Sequence, residues 1–171
     1  MSGQLVTLVL RFFHVGAGIF WAGAMFVMVR FLLPAMRESG PEGGRFMARL
    51  APKLTPAMLG AAVITLLSGF ALYGRNQAGS GGVWSGTHPG ITYGIGGLCA
   101  LLAFIIGVSV NNPTGRKLAK LAQSIQAAAG PPSPEQAAEM KRLQGRLGTA
   151  GGAVAALIGI TVITMALARY M

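Results

Sequence analysis

An imidazole inside an apolar stretch is the feature of this chain that bears most directly on chemistry. In Arg11-Phe12-Phe13-His14, His14 lies nine residues past Leu5, where the stretch begins. At 1.5 Å per residue that is about 13 Å along a helix axis. Ionisable side chains at such depth in a bilayer are costly and face a partner, a cavity or a cofactor. At heptad spacing after His14 come Gly18, Trp21, Met25 and Met28, so one helix face carries an imidazole, a gap, an indole and two thioethers. A gap beside a histidine admits a flat ring, and imidazole is a favoured axial ligand of haem iron. On this reading His14 is the metal ligand, Gly18 and Trp21 adjoin the ring, and Arg11, one turn away, clamps a propionate or another anion. The competing reading is a neutral histidine hydrogen-bonded to a hydroxyl or carbonyl across the bundle, with the methionines as packing and Arg11 snorkelling to the interface.

Other candidates are weaker. His88, in Gly-Thr-His-Pro, is expected at an exposed helix start, too far from His14 to share a metal with it. Histidine and methionine suit Cu(I), but no tight Met-x-x-Met tract accompanies the nine methionines. The one cysteine, Cys99, allows no disulfide within the chain. All four acids, Glu38, Glu42, Glu135 and Glu139, fall outside the apolar stretches, which disfavours a carboxylate-based ion pump. No Ser/His/Asp set, phosphate-binding loop or zinc-ligand cluster is present in the sequence.

The elements that position His14 follow from composition. The 171 residues are 53% hydrophobic and 11% charged, with a mean hydropathy of +0.59, whereas soluble domains are about 25% charged. Four apolar runs, about 5–33, 55–74, 89–110 and 149–168, are each long enough to cross a hydrocarbon core of about 30 Å. The expectation is a single all-α domain, an integral membrane four-helix bundle. Ala22-Gly23-Ala24 imitates a signal-peptide cleavage site, but no basic segment precedes it and the apolar run continues to Leu33, so the segment reads as a span.

The net charge of +10 is distributed by topology. Arg30, Arg37, Arg45, Arg49 and Lys53 flank or occupy the first connection, and Arg116, Lys117, Lys120, Lys141, Arg142 and Arg146 the third; Arg11, Arg75 and Arg169 lie on the other side. The positive-inside rule makes the two basic connections cytoplasmic and places both termini outside. The partner of the charge is then anionic lipid, not nucleic acid.

Local signals refine the layout. Thr55-Pro56 and His88-Pro89 are expected to start helices and Gly74 to end one. Tyr73, Trp84 and Tyr170 are expected at the outer boundary. The first connection has room for one short helix with Phe46, Met47 and Leu50 on one face. In the third, Asn112-Pro113 ends or restarts a helix striped by Leu118, Leu121, Ala122 and Ile125. Ser133-Pro134-Glu135-Gln136 has the form of a capping box that starts a further helix running into the fourth span. Gly16, Gly18 and Gly23, Gly90, Gly94 and Gly97, and Gly148, Gly152 and Gly159 offer small faces for close helix approach, expected to pack within one bundle.

Phe13-His14-Val15-Gly16-Ala17-Gly18-Ile19-Phe20-Trp21-Ala22-Gly23, a histidine followed seven residues later by tryptophan and then by small-Gly, resembles the first helix of the CopD-like group of bacterial membrane proteins. That group includes the membrane domain of copper resistance protein D, uncharacterised four-helix relatives and, more distantly, the HemJ type of protoporphyrinogen oxidase. The resemblance extends to Leu33-Pro34-Ala35 and to a Gly-Pro-Glu-containing loop, over residues 8–75. It implies a compact four-helix unit in a bacterial plasma (inner) membrane and b-type haem held by the first-helix histidine, which maps onto His14. Three functions follow as expectations: a haem-binding protein for electron transfer or porphyrin handling, an accessory subunit of a larger membrane complex or homo-oligomer, and copper transport.

Overall fold

The structure, a computed structural model, describes residues 2–128 and 130–171. It is all-α, with no strand among the described residues. Helix α1 (Ser2–Val27) passes through a π-helical turn (Met28–Leu32) into α2 (Leu33–Glu38). Helix α3 (Gly40–Gly79) follows, then a loop with one 3-10 turn (Trp84–Gly86). Helix α4 (His88–Ile106) likewise passes through a π-helical turn (Gly107–Asn111) into α5 (Asn112–Ala127), and α6 (Pro134–Leu167) ends in a short 3-10 turn.

Four continuous helical segments result, of 36, 38, 40 and 37 residues, each long and apolar enough to cross a membrane. At 1.5 Å per residue they measure about 54–60 Å, roughly twice a hydrocarbon core. Three sequence expectations are thereby corrected. Thr55-Pro56 starts no helix, because α3 runs through both Pro52 and Pro56. Gly74 ends none, since α3 continues to Gly79 before Gly81 and Gly82 turn the chain at positive φ. The first connection is not one separate short helix: α2 ends at Glu38, and the connection from Gly40 on is the first part of α3. The reversal between them depends on Gly40, at φ 54°, and on Gly43, where a Cβ would collide with the Met36 carbonyl.

The wide turns have a shared cause. Proline lacks an N–H and its ring clashes with the carbonyl four residues earlier. Here the residue before each proline donates one step further back, Leu33 N–H to Met28 O ahead of Pro34 and Asn112 N–H to Gly107 O ahead of Pro113. The helix widens by one residue and continues. The halves are thus built alike, each a long helix, a wide turn, a proline, a shorter helix and a second long helix. Counted back from the two prolines, Trp21 corresponds to Ala100 and His14 to Tyr93.

Helix α1 packs chiefly on α3, and α4 chiefly on α6. The pairs meet around Trp21 (7% exposed) and Met25, surrounded by Ala61, Ala62, Ala100, Ala103, Val154 and Ile158. Alanines on α3 and α4 accommodate one indole, the usual recipe where lipid and core are equally apolar and association depends on close packing. Of the glycines expected at helix contacts, Gly18, Gly94, Gly148 and Gly159 face neighbouring side chains, but Gly16, Gly23, Gly97 and Gly152 have nothing within 4 Å. The latter four lie on outer surfaces.

One end of the bundle gathers residues near both termini and the 80–87 loop. Arg75 donates to Gly3 O (2.9 Å) and Thr7 Oγ1 (3.2 Å), and Thr92 Oγ1 lies 3.6 Å from Met171 Sδ. Tyr73 meets Trp84 edge-on at 4.9 Å, and Trp84 stacks on Tyr93 at 5.9 Å. The cap of α4 is Thr87, whose Oγ1 accepts from Gly90 N–H; His88 is the exposed first residue. The opposite end holds the acids and most basic residues. Along α1 the distance from Arg11 to Arg30 is about 28 Å, and along α3 that from Lys53 to Arg75 about 33 Å, so charges bracket apolar lengths close to the thickness of a hydrocarbon core.

At that basic end Ser133 caps α6 in a complete capping box: its Oγ accepts from Gln136 N–H (3.2 Å) and Gln136 Oε1 accepts from Ser133 N–H (3.0 Å). The Ser133 hydroxyl also donates to Glu135 (2.7 Å), which holds that carboxyl below its ordinary pKa, as the hydrogen bonds from Arg142 do for Glu139. Ser133→Ala is expected to destabilise the start of α6 by about 1 kcal/mol, read as faster amide exchange at Gln136 and Ala137 with the spans unchanged. Because both carboxyl pKa values are depressed, their contribution is present above the ordinary carboxylate range and fades only as pH falls through the lowered values.

Candidate functional site

His14 lies against α3 over three consecutive contact positions, Thr65, Ser68 and Gly69. Its Nδ1 is 2.8 Å from Thr65 O and 3.4 Å from Ser68 Oγ. Gly69 makes the approach possible: a Cβ there would stand 2.8 Å from His14 Cε1 and 3.1 Å from Nδ1. The imidazole occupies the space that any other residue would fill.

This geometry decides the tautomer. A backbone carbonyl can only accept, so Nδ1 carries the proton and donates it to Thr65 O. The neighbouring hydroxyls do not compete strongly, since Thr65 Oγ1 donates to Ala61 O (2.8 Å) and Ser68 Oγ to Ile64 O (2.5 Å), each within its own helix. In this tautomer the lone pair is on Nε2, which makes no hydrogen bond among the described residues. A neutral imidazole with one nitrogen fixed by a carbonyl and the other basic is the usual form of a metal-ligating histidine.

The other site candidates are placed as follows. Arg11 is exposed, one turn from His14, on a shallow open groove with Gln4, Thr7, Leu8 and Arg75. It forms no salt bridge or hydrogen bond among the described residues, whereas Arg75 is tied to the first turns of α1. The groove thus carries one free guanidinium and one engaged. With Arg11 at the charged edge of the apolar band, His14 is one turn inside it, about 4.5 Å, shallower than its distance from Leu5 suggests. Gly18 corrects the expectation of an open gap: the Thr65 side chain fills it, with Cγ2 3.5 Å from a Cβ position there. Trp21 and Met25 are core residues. A flat ring approaching Nε2 would come from the outer side of the α1/α3 pair, not along the buried face of α1.

Sequence reasoning missed Thr65, Ser68 and Gly69. Their signal was a Thr-x-x-Ser-Gly group inside an apolar run, polar residues at i and i+3 followed by the smallest residue, which reads as a seam once α1 is aligned beside it. Among the described residues no group of three His, Cys, Asp or Glu side chains is placed to hold a metal ion, so a ligand at His14 would rest on one protein bond. Comparison with family models, with curated proteins and with solved structures returned no match.

Proposed function

We propose that this chain is a multi-pass protein of the bacterial plasma membrane that binds a flat anionic tetrapyrrole, b-type haem, through Nε2 of His14, for electron transfer or porphyrin handling. The observation that carries this reading is the Nδ1–H to Thr65 O hydrogen bond, which fixes the imidazole with its lone pair on Nε2. Arg11, free and one turn nearer the bundle end, offers a charge-assisted partner for a propionate. Haem bound there would supply one-electron chemistry; the chain's own part is to hold the imidazole ring in place and to orient it. The resemblance of the first helix to the CopD-like group supports the same reading. By the positive-inside rule the basic end faces the cytoplasm and both termini lie outside.

The test is a reduced-minus-oxidised visible spectrum of the detergent-purified protein, alone and after addition of haem. A Soret band is expected for the native chain and none for His14→Ala. A band of equal strength in the variant would overturn the assignment.

A second reading, an accessory subunit of a larger complex or a homo-oligomer, is favoured by Gly16, Gly23, Gly97 and Gly152, small residues turned away from the bundle. A spectrally silent protein that leaves a mild-detergent extract in a stable complex would favour it. Copper transport has less support, since Met25 packs in the core and no methionine joins His14 in a soft-metal set.

A further inference from the structure

A second groove runs along the outer side of α1 and α3 toward the basic end, from the level of Ile19 to that of Leu32. Its lining is entirely apolar, with Phe20, Gly23 and Val27 on one wall and Leu50 and Leu54 on the other. It stays open because Gly23 has no side chain and nothing stands within 4 Å of its Cβ position. Its length is about 20 Å at 1.5 Å per residue, about two-thirds of a hydrocarbon core of about 30 Å, and so long enough for one acyl chain of one leaflet.

Cations stand beside the lining in the half of the groove nearer the basic end: Arg30 lies between the lining residues Val27 and Leu32, and Lys53 between Leu50 and Leu54. Arg49 adjoins Leu50. All three cations are exposed, and none forms a salt bridge among the described residues, where the only such pair is Arg142 with Glu139. An apolar slot flanked on its basic side by free cations matches a molecule with a hydrocarbon tail and a negative head. A second copy of the chain fits less well, because a two-fold contact on this groove would bring the same cations together.

We infer that this groove holds one anionic phospholipid, with an acyl chain between α1 and α3 and the headgroup phosphate among Arg30, Arg49 and Lys53. Each cation near a membrane surface changes the affinity for anionic lipid by about fivefold. The experiment is native mass spectrometry of the delipidated protein in detergent, with phosphatidylglycerol and phosphatidylcholine of identical chains added in equal amounts. The native chain is expected to retain one phosphatidylglycerol in preference to phosphatidylcholine. Replacing Arg30 and Lys53 together by Gln should lower that preference by about 25-fold, and Gly23→Leu, which fills the slot, should remove retention of both lipids. Equal retention by the native chain, a lipid adduct unchanged in Gly23→Leu, or a dimer in place of the adduct would overturn the inference. If Gly23→Leu does not fold, the charge variant alone decides: an unchanged preference refutes the assignment.

Discussion

Replacing Gly69 by alanine is expected to weaken haem binding by about 10- to 100-fold, the range seen when an outer partner of a ligating histidine is lost. The added methyl group would stand 2.8 Å from His14 Cε1, and the imidazole ring, at the end of its side chain, is the part that gives way. Rotating it outward breaks the Nδ1–H to Thr65 O bond, so the proton is no longer held on Nδ1 and the lone pair no longer points in one direction. The cost to the fold is smaller, on the order of 0.6 kcal/mol, typical of a hydrogen bond between membrane helices. Gly16→Ala is the matched control: nothing lies within 4 Å of its Cβ position, and alanine is the better helix former, so binding and stability should be unchanged or slightly improved. Haem titration by absorbance, with an unfolding curve for each variant, separates the two. Equal haem affinity in Gly69→Ala and the native chain would show that the Thr65 contact does not position a ligand.

Trp21→Ala should produce the largest loss of stability of any single core truncation. The indole is the bulkiest member of the core, and its buried partners Ala61, Ala62, Ala100 and Ala103 have no side-chain length with which to fill the space. Truncating a buried tryptophan in a soluble core costs about 3–5 kcal/mol. The low end applies here, because apolar surface released to lipid incurs little transfer penalty and the loss is mainly one of packing. Denaturation in mixed detergent micelles would measure it. Met25→Leu, which nearly conserves volume, should cost less than about 1.5 kcal/mol. A Trp21→Ala loss below that figure would mean that the pairs α1/α3 and α4/α6 do not depend on their shared core.

The number and helical character of the spans were legible because four runs of low charge and sufficient length have few other uses. Their ends were not. Thr55-Pro56 carries every mark of a helix start, yet α3 passes through it, because the chain is already helical from Gly40 and both Pro52 and Pro56 lie inside that helix. The capping box at Ser133 was legible because its four residues are contiguous and act on one another. His14 was visible by contrast with its surroundings, but Thr65 and Gly69 were not, since they acquire meaning only when α1 and α3 are set side by side in register. Gly18 misled for the same reason: a missing side chain in one helix says nothing about what the next helix inserts there.

The likeness of the two halves is one of backbone and not of side chains. Where His14 stands in the first, Tyr93 stands in the second, stacked on Trp84, and it carries no ring nitrogen. On the proposed reading a stoichiometry follows: one ligand per chain, with no twin of the His14 centre among the described residues to receive an electron from it or to sense its occupancy. Any cooperative response or relay to a second centre would have to be built between molecules.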